Sequence, residues 1–244
     1  MKSITNYLTL AAFCIPLVMA SCKKEEAQPQ VQEQEAMSEQ EAEAVTEIMA
    51  IAAIEDVEAT AEAAESYAPS DQEIARTFCG ETFDTTLEFH YQYLTLNVDY
   101  VTSWGLKVNC NNLNIPKSLE VTGTGTGNVT AALMDGSLNG ASDGLLEGLL
   151  PDKDVYTFNG TYAGTGTLQS KVGLKNSYSV IATVSLDDIT IDKETLFVTG
   201  GSGTMAIEAT SSTGKTGAFT ATFIINGDGT ATIEINGNSF TIHL

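Results

Sequence analysis

Cysteines, a serine between glycines, aspartate pairs and a group of aromatic rings are the residues whose types and spacing would permit chemistry in this chain. Cys79 and Cys110 are expected to pair in an oxidising compartment. On the chain-entropy account their loop of about 30 residues is worth roughly 3.5 kcal/mol. A nucleophilic thiol would need a nearby base, and the sequence has two histidines, His90 and His243. Two cysteines without further ligands at zinc spacing argue against a structural metal. Gly140-Ala141-Ser142-Asp143-Gly144 matches the G-x-S-x-G pattern of hydrolases. That elbow works on a strand-to-helix turn of an α/β sheet, followed by an acid and a histidine. The only histidine downstream is the penultimate residue, and the surroundings are not α/β. Asp187-Asp188 with Asp192, or Asp152 with Asp154, offers calcium-type oxygens, but neither fits the spacing of an EF-hand loop. Asn111-Asn112 stand at the positions that align with Asp187-Asp188, which reads as an ordinary turn. Trp104 with Tyr91, Tyr93 and Tyr100 would make a sugar-stacking platform; in alternating strands such rings are more often core. With no convergent acid, base and nucleophile, the expectation is a non-enzymatic protein with no catalytic residues, metal or cofactor.

The charge narrows the partners. Thirty-two acidic and 11 basic side chains leave a formal charge of −21, and Arg76 is the lone arginine. Nothing in such a chain neutralises a row of phosphates, so nucleic acid is excluded as a partner. Residues 1–21 read as a secretory signal: Lys2, a mainly apolar run from Tyr7 to Ala20 that is too short to span a bilayer, and small residues at the end. Val18-Met19-Ala20-Ser21-Cys22 resembles a bacterial lipobox, in which the signal is cut before a cysteine that is then acylated, with Met19 standing where leucine is commonest. Lys23-Lys24-Glu25-Glu26 resembles the export signal of Bacteroidota lipoproteins. That resemblance implies a protein lipid-anchored in the outer membrane and facing the cell exterior; the alternative is the periplasmic face. A diacylglycerol and an amide-linked chain on Cys22 exceed the two signals that stable anchoring requires.

These groups must be positioned by the elements that follow. Residues 22–40, the lipidated cysteine and a polar linker, are expected to be disordered. From Glu41 to Tyr67 the Ala/Glu content predicts a helix, with Val45, Ile48, Met49, Ile51, Ala52, Ile54 and Val57 spread over more than half its circumference. It is read as a stalk about 40 Å long, partly docked on the domain.

Residues 79–244 turn to Thr, Gly and β-branched residues in period-two alternation, which predicts an all-β domain, an antiparallel barrel or sandwich. Leu87, Phe89, Tyr91 and Tyr93 give way to Leu94, Leu96, Val98 and Tyr100, and this phase change reads as a bulge or a bend. Asn236-Gly237 predicts a two-residue hairpin turn that pairs Ile233 with Phe240 and Ala231 with Ile242. Gly227-Asp228-Gly229 predicts a three-residue loop pairing Phe223 with Ile233 and Ile225 with Ala231. Thr122 to Gly127 and Thr165-Gly166-Thr167 put hydroxyls on one strand face and bare glycine on the other, the mark of strong curvature or close backbone approach, of which curvature is the one expected.

Val108 to Gly123 aligns with Val184 to Gly200, so the domain is read as two similar halves, copies about 82–153 and 154–230. Between the aligned blocks, Leu145/Leu149 and Leu146/Leu150 are i, i+4 pairs before Pro151, read as a short helix that caps the sheet or forms a mobile apolar lid. The glycine-threonine strand and closing meander resemble uncharacterised flavobacterial lipoproteins, a likeness that implies no activity. The function expected is a lipid-anchored envelope protein displaying a binding or structural domain. Alternatives are a carrier of an apolar or lipid ligand within a curved sheet, and a module for an extracellular glycan.

Overall fold

In the computed structural model, which describes residues 37–67 and 72–244, Ser38 opens the first element, α1 (Glu39–Glu65). The Ser38 N–H donates to Glu41 at 2.9 Å and the Glu41 N–H donates to the Ser38 hydroxyl at 3.4 Å, a reciprocal capping box that starts the helix two residues before the expected position. Cys22 and Lys23 to Glu26 lie outside the described residues.

The stalk reading of this helix is corrected. Val45, Ile48, Met49, Ile51, Ala52, Ile54 and Val57 are each at most 2% exposed. Alanines 50, 52, 53, 61 and 64 are buried with them and let the sheet approach closely. A helix apolar around most of its circumference needs cover on every side, and here the sheet supplies it. The helix and the sheet form one hydrophobic core.

After the short α2 (Gln72–Arg76), ten strands follow in chain order: β1 (Thr82–Tyr93), β2 (Leu96–Cys110), β3 (Pro116–Thr130), β4 (Met134–Glu147), β5 (Val155–Ser170), β6 (Ser177–Asp192), β7 (Val198–Ser211), β8 (Thr216–Ile225), β9 (Thr230–Ile235) and β10 (Asn238–His243). Each pairs antiparallel with the next, giving a single up-and-down sheet. It is all-β as expected, but neither a closed barrel nor a two-sheet sandwich: β1 and β10 share no ladder and the sheet is open. Side chains bridge these edges, with the Tyr91 hydroxyl donating to the His243 carbonyl at 2.9 Å and the Tyr93 and His243 rings stacked at 4.1 Å. Cys79 and Cys110 form the expected disulfide, with Cα atoms 5.6 Å apart, which clips the segment after α2 to the end of β2.

The closing meander has the derived register: Phe240 opposite Ile233, Ile242 opposite Ala231, Phe223 opposite Ile233 and Ile225 opposite Ala231. Asn236 and Gly237 have φ of 51° and 82°, as this turn demands. The phase change after Tyr93 is a two-residue turn, Leu94-Thr95, not a bulge. Tyr93 pairs with Leu96 and Tyr91 with Val98, so both strands keep their apolar side chains on the same face.

The aligned segments lie four strands apart, at the β2/β3 and β6/β7 connections, but they turn at different places. Asn111 accepts from the N–H groups of Leu113 and Ile115, whereas in the second segment Asp192 accepts from Glu194 and Thr195. Asp187-Asp188 sits where the β6/β7 register shifts, with Asp188 at φ 49°. The turn read there from Asn111-Asn112 is instead an irregularity within paired strands.

Candidate functional site

Two features of the folded chain gather polar chemistry. The first is the seam between α1 and the sheet. The Asp56 carboxylate, 3% exposed, accepts from the Thr102 hydroxyl at 3.3 Å. Burial pushes its pKa up to about 6, opposed by donors on Ser142, Thr102 and Trp104. Of the three only Thr102 closes an ordinary hydrogen bond; Trp104 Nε1 and Ser142 Oγ are buried with no partner among the described residues. Beside them Tyr162 donates to Tyr100 at 3.2 Å, and burial raises both phenols. On the rest of α1, burial and the nearby Glu58 push Glu55 up to about 7, and burial raises Glu47 and Glu58, although the Val198 N–H donates to Glu58 at 2.8 Å. Glu41 goes the other way. Burial opposes its charge, but donors on Ser170, Ser38 and Tyr178 outweigh it and hold the carboxyl below its ordinary value. None of the ion pairs His90–Asp99, Lys107–Glu120 and Lys171–Asp135 involves α1.

The second feature is a trough on the outward face of β1 to β4. One concavity of about 630 Å³ is lined by Glu88, His90, Asp99, Thr126, Asn128 and Asn139, among others. Another, of about 410 Å³, follows along the same strands past Asp84, Thr86, Ser103, Thr122 and Thr124. His90 Nδ1 meets Asp99 at 2.5 Å across β1 and β2, and Thr86 meets Ser103 through their hydroxyls at 2.8 Å. No lysine or arginine lines either part. The trough is acidic and rich in hydroxyl and amide groups, which suits a neutral or cationic ligand and repels a polyanion.

The floor of this region explains the glycines. Trp104 lies opposite Gly123 and Tyr100 opposite Gly127, so each ring covers a neighbouring strand where a Cβ would stand. An added Cβ at Gly125 would meet Tyr100, at Gly140 the hydroxyls of Tyr100 and Tyr162, and at Gly203 the Phe223 ring. Glycine serves here as close backbone approach, with the threonines exposed on the other side.

The aromatic platform is corrected on the same evidence. Trp104 and Tyr100 are at most 2% exposed, and Tyr91 is half-buried beside the β10 edge. Trp104 and Tyr100 belong to the inward file Leu96, Val98, Tyr100, Thr102, Trp104, Leu106, Val108 of β2. Only Tyr93 is exposed, and His243 stacks on it. The lid is corrected as well. Leu145 and Leu146 are paired residues of β4, opposite Asn159 and Phe158, and Leu149 is buried just beyond; Leu150 follows in the connection to β5. The inward file of β4 runs Met134, Gly136, Leu138, Gly140, Ser142, Gly144, Leu146, so its glycines hide the period of two and leave the i, i+4 leucines as a coincidence. Ser142 is therefore mid-strand, not on an elbow. Asp188 pairs with Asn159 at 3.1 Å and Asp192 holds its own turn.

Sequence reasoning missed the buried carboxylates of α1. Their signal was present: apolar residues over more than half the wheel leave too little free surface for the intervening acids. Comparison with known protein families, curated proteins and solved structures finds no match.

Proposed function

We propose that this chain is a non-enzymatic envelope lipoprotein, anchored in the outer membrane through acyl chains on Cys22, that presents the outward side of its sheet as a binding or structural surface. The observation that carries the reading is α1 lying within the sheet's core: the concave side is occupied by the chain itself, and contact with another molecule falls to the outside. The lipobox-like Val18 to Cys22 supports the anchor, and Lys23 to Glu26 support exposure to the exterior. The test is fractionation together with protease shaving of intact cells. After a high-salt wash that strips electrostatically held protein, Cys22→Ser should move the protein to the soluble fraction, and shaving should degrade the wild type; a Cys22→Ser protein that still sediments with salt-washed membranes overturns the anchor.

Within this reading a neutral, hydroxyl-rich glycan suits the trough, because Thr86, Ser103, Thr122, Thr124, Asn128 and Asn139 offer donors and acceptors without a competing cation. The apolar carrier reading requires α1 to leave its seat. Mass spectrometry of material co-purifying with the native protein separates the two: lipid favours the carrier, saccharide the trough.

A further inference from the structure

We propose that the rim of the sheet at which α1 begins docks on a lipid surface bearing anionic headgroups. The meander sorts its turns onto two rims. The turns at 94–95, 131–133, 171–176, 212–215 and 236–237 share the rim of the α1 N-terminus. They carry Lys171, Lys175 and Lys215 and no carboxylate. The turns at 111–115, 148–154, 193–197 and 226–229 form the other rim, where Lys153 and Lys193 face Asp152, Asp154, Glu194 and Asp228. In a chain of net charge −21, one rim is thus kept clear of acids in its turns. Of the carboxylates near it, Asp135 pairs with Lys171 at 2.5 Å and Glu39 accepts from Asn238, while Glu234 stands exposed two residues before the 236–237 turn.

Apolar tips accompany the lysines. Leu94 is 83% and Leu174 is 74% exposed, the two most exposed large hydrophobic side chains among the described residues. Leu94 takes φ 51°, a turn position that favours Asn or Gly and costs a leucine stability. Leu113 and Phe197 project from the other rim, whose turns together carry Asp152, Asp154, Glu194 and Asp228, charges that repel anionic headgroups. Lysines around leucine tips are the pattern by which a peripheral domain seats at a headgroup boundary.

The chain's own path selects the lipid surface as occupant. Glu41 accepts from Tyr178, at the start of β6, at 3.1 Å, so Met37 and Ser38 enter at this rim, and Cys22 precedes them in sequence. The inference rests on the anchor reading above in this one respect: acyl chains on Cys22 would make this the rim through which the domain is tethered.

The test uses the full acylated chain in vesicles of phosphatidylcholine and phosphatidylglycerol whose acyl chains are brominated, with single tryptophans introduced by Leu94→Trp, Leu174→Trp, Leu113→Trp and Phe197→Trp and the buried Trp104 as a constant background. The first two should lose about half their added fluorescence, as side chains seated roughly 5–10 Å into the boundary do, and the last two should be unaffected. In the Cys22→Ser chain, Lys171→Gln, Lys175→Gln and Lys215→Gln should each weaken binding to the same vesicles roughly five-fold, with no effect on pure phosphatidylcholine. Equal behaviour of all four tryptophans in an acylated chain overturns the rim and leaves the anchor. An unacylated Cys22 with the expected quenching pattern overturns the anchor and leaves the rim.

Discussion

Thr102 of β2 donates its hydroxyl to Asp56, in the middle of α1, at 3.3 Å, and so ties the deepest carboxylate of the helix to the sheet around it. The bond holds the helix in register along the strands. It does not make Asp56 a good host for charge, because burial outweighs Thr102 and the nearby polar groups of Ser142 and Trp104.

This sets a pH dependence. The folded pKa of Asp56, about 6, lies above its ordinary 3.8, so the folded state holds the proton more tightly than the unfolded chain. Stability from this group is fully present below about pH 4 and is lost as pH rises to about 6. Glu55, at about 7 against 4.5, extends the loss to neutrality. The melting temperature should therefore be higher near pH 4.5 than at pH 8. Asp56→Asn should flatten that slope and stabilise the protein at pH 8 by on the order of 2–3 kcal/mol. A melting temperature that rises from pH 4.5 to 8 would contradict this.

If α1 is core, truncating it is costly. Ile48, 1% exposed, replaced by alanine should lose about 2–5 kcal/mol in urea unfolding, with near-ultraviolet dichroism of the sheet tyrosines and Trp104 melting in the same transition. A free stalk would tolerate the change within about 0.5 kcal/mol.

Gly140→Ala places a methyl group against the Tyr100 and Tyr162 hydroxyls. It should destabilise by roughly 1–3 kcal/mol, read by the same unfolding experiment, whereas Ala141→Gly on the exposed side of the strand should cost under about 1 kcal/mol. Equal effects at the two positions would mean that the rings do not lie over the glycine.

Leu94→Gly supplies the residue that the left-handed first position of this two-residue turn prefers. It should raise stability by roughly 0.5–1 kcal/mol. The same change should lower vesicle binding of the unacylated chain, separating the cost of the leucine from its use.

Reduction of the Cys79–Cys110 disulfide should lower stability by roughly 3–4 kcal/mol, measured by thermal unfolding with and without reductant. The expected consequence is early loss of the segment from Gln72 to Cys79, with the ten-stranded ladder melting later.

Much of the sheet was legible because hairpins are local. Asn236-Gly237 and Gly227-Asp228-Gly229 announce their backbone conformation in their own residues, and the alternation beside them then permits a single pairing. β4 was not legible, because its inward positions are glycines, which carry no hydropathy and acquire meaning only when Tyr100, Phe158 and Tyr162 cover them from other strands. Trp104 and Tyr100 were ambiguous for a related reason: alternation says which rings share a face, and nothing in it says what covers that face.

The linear chain by itself determined the all-β class of the domain, the closing meander, the cysteine pair and the helical stretch from Glu41 to Tyr67, since each depends on neighbours within a few residues or on the inventory of thiols. Tertiary structure alone decided that this helix lies in the core, that its acids are buried with it, that the sheet stays open between β1 and β10, and that the carboxylates of the turns collect on one rim. Those outcomes arise from the folding back of segments tens of residues apart, where burial and field are properties of what arrives from elsewhere.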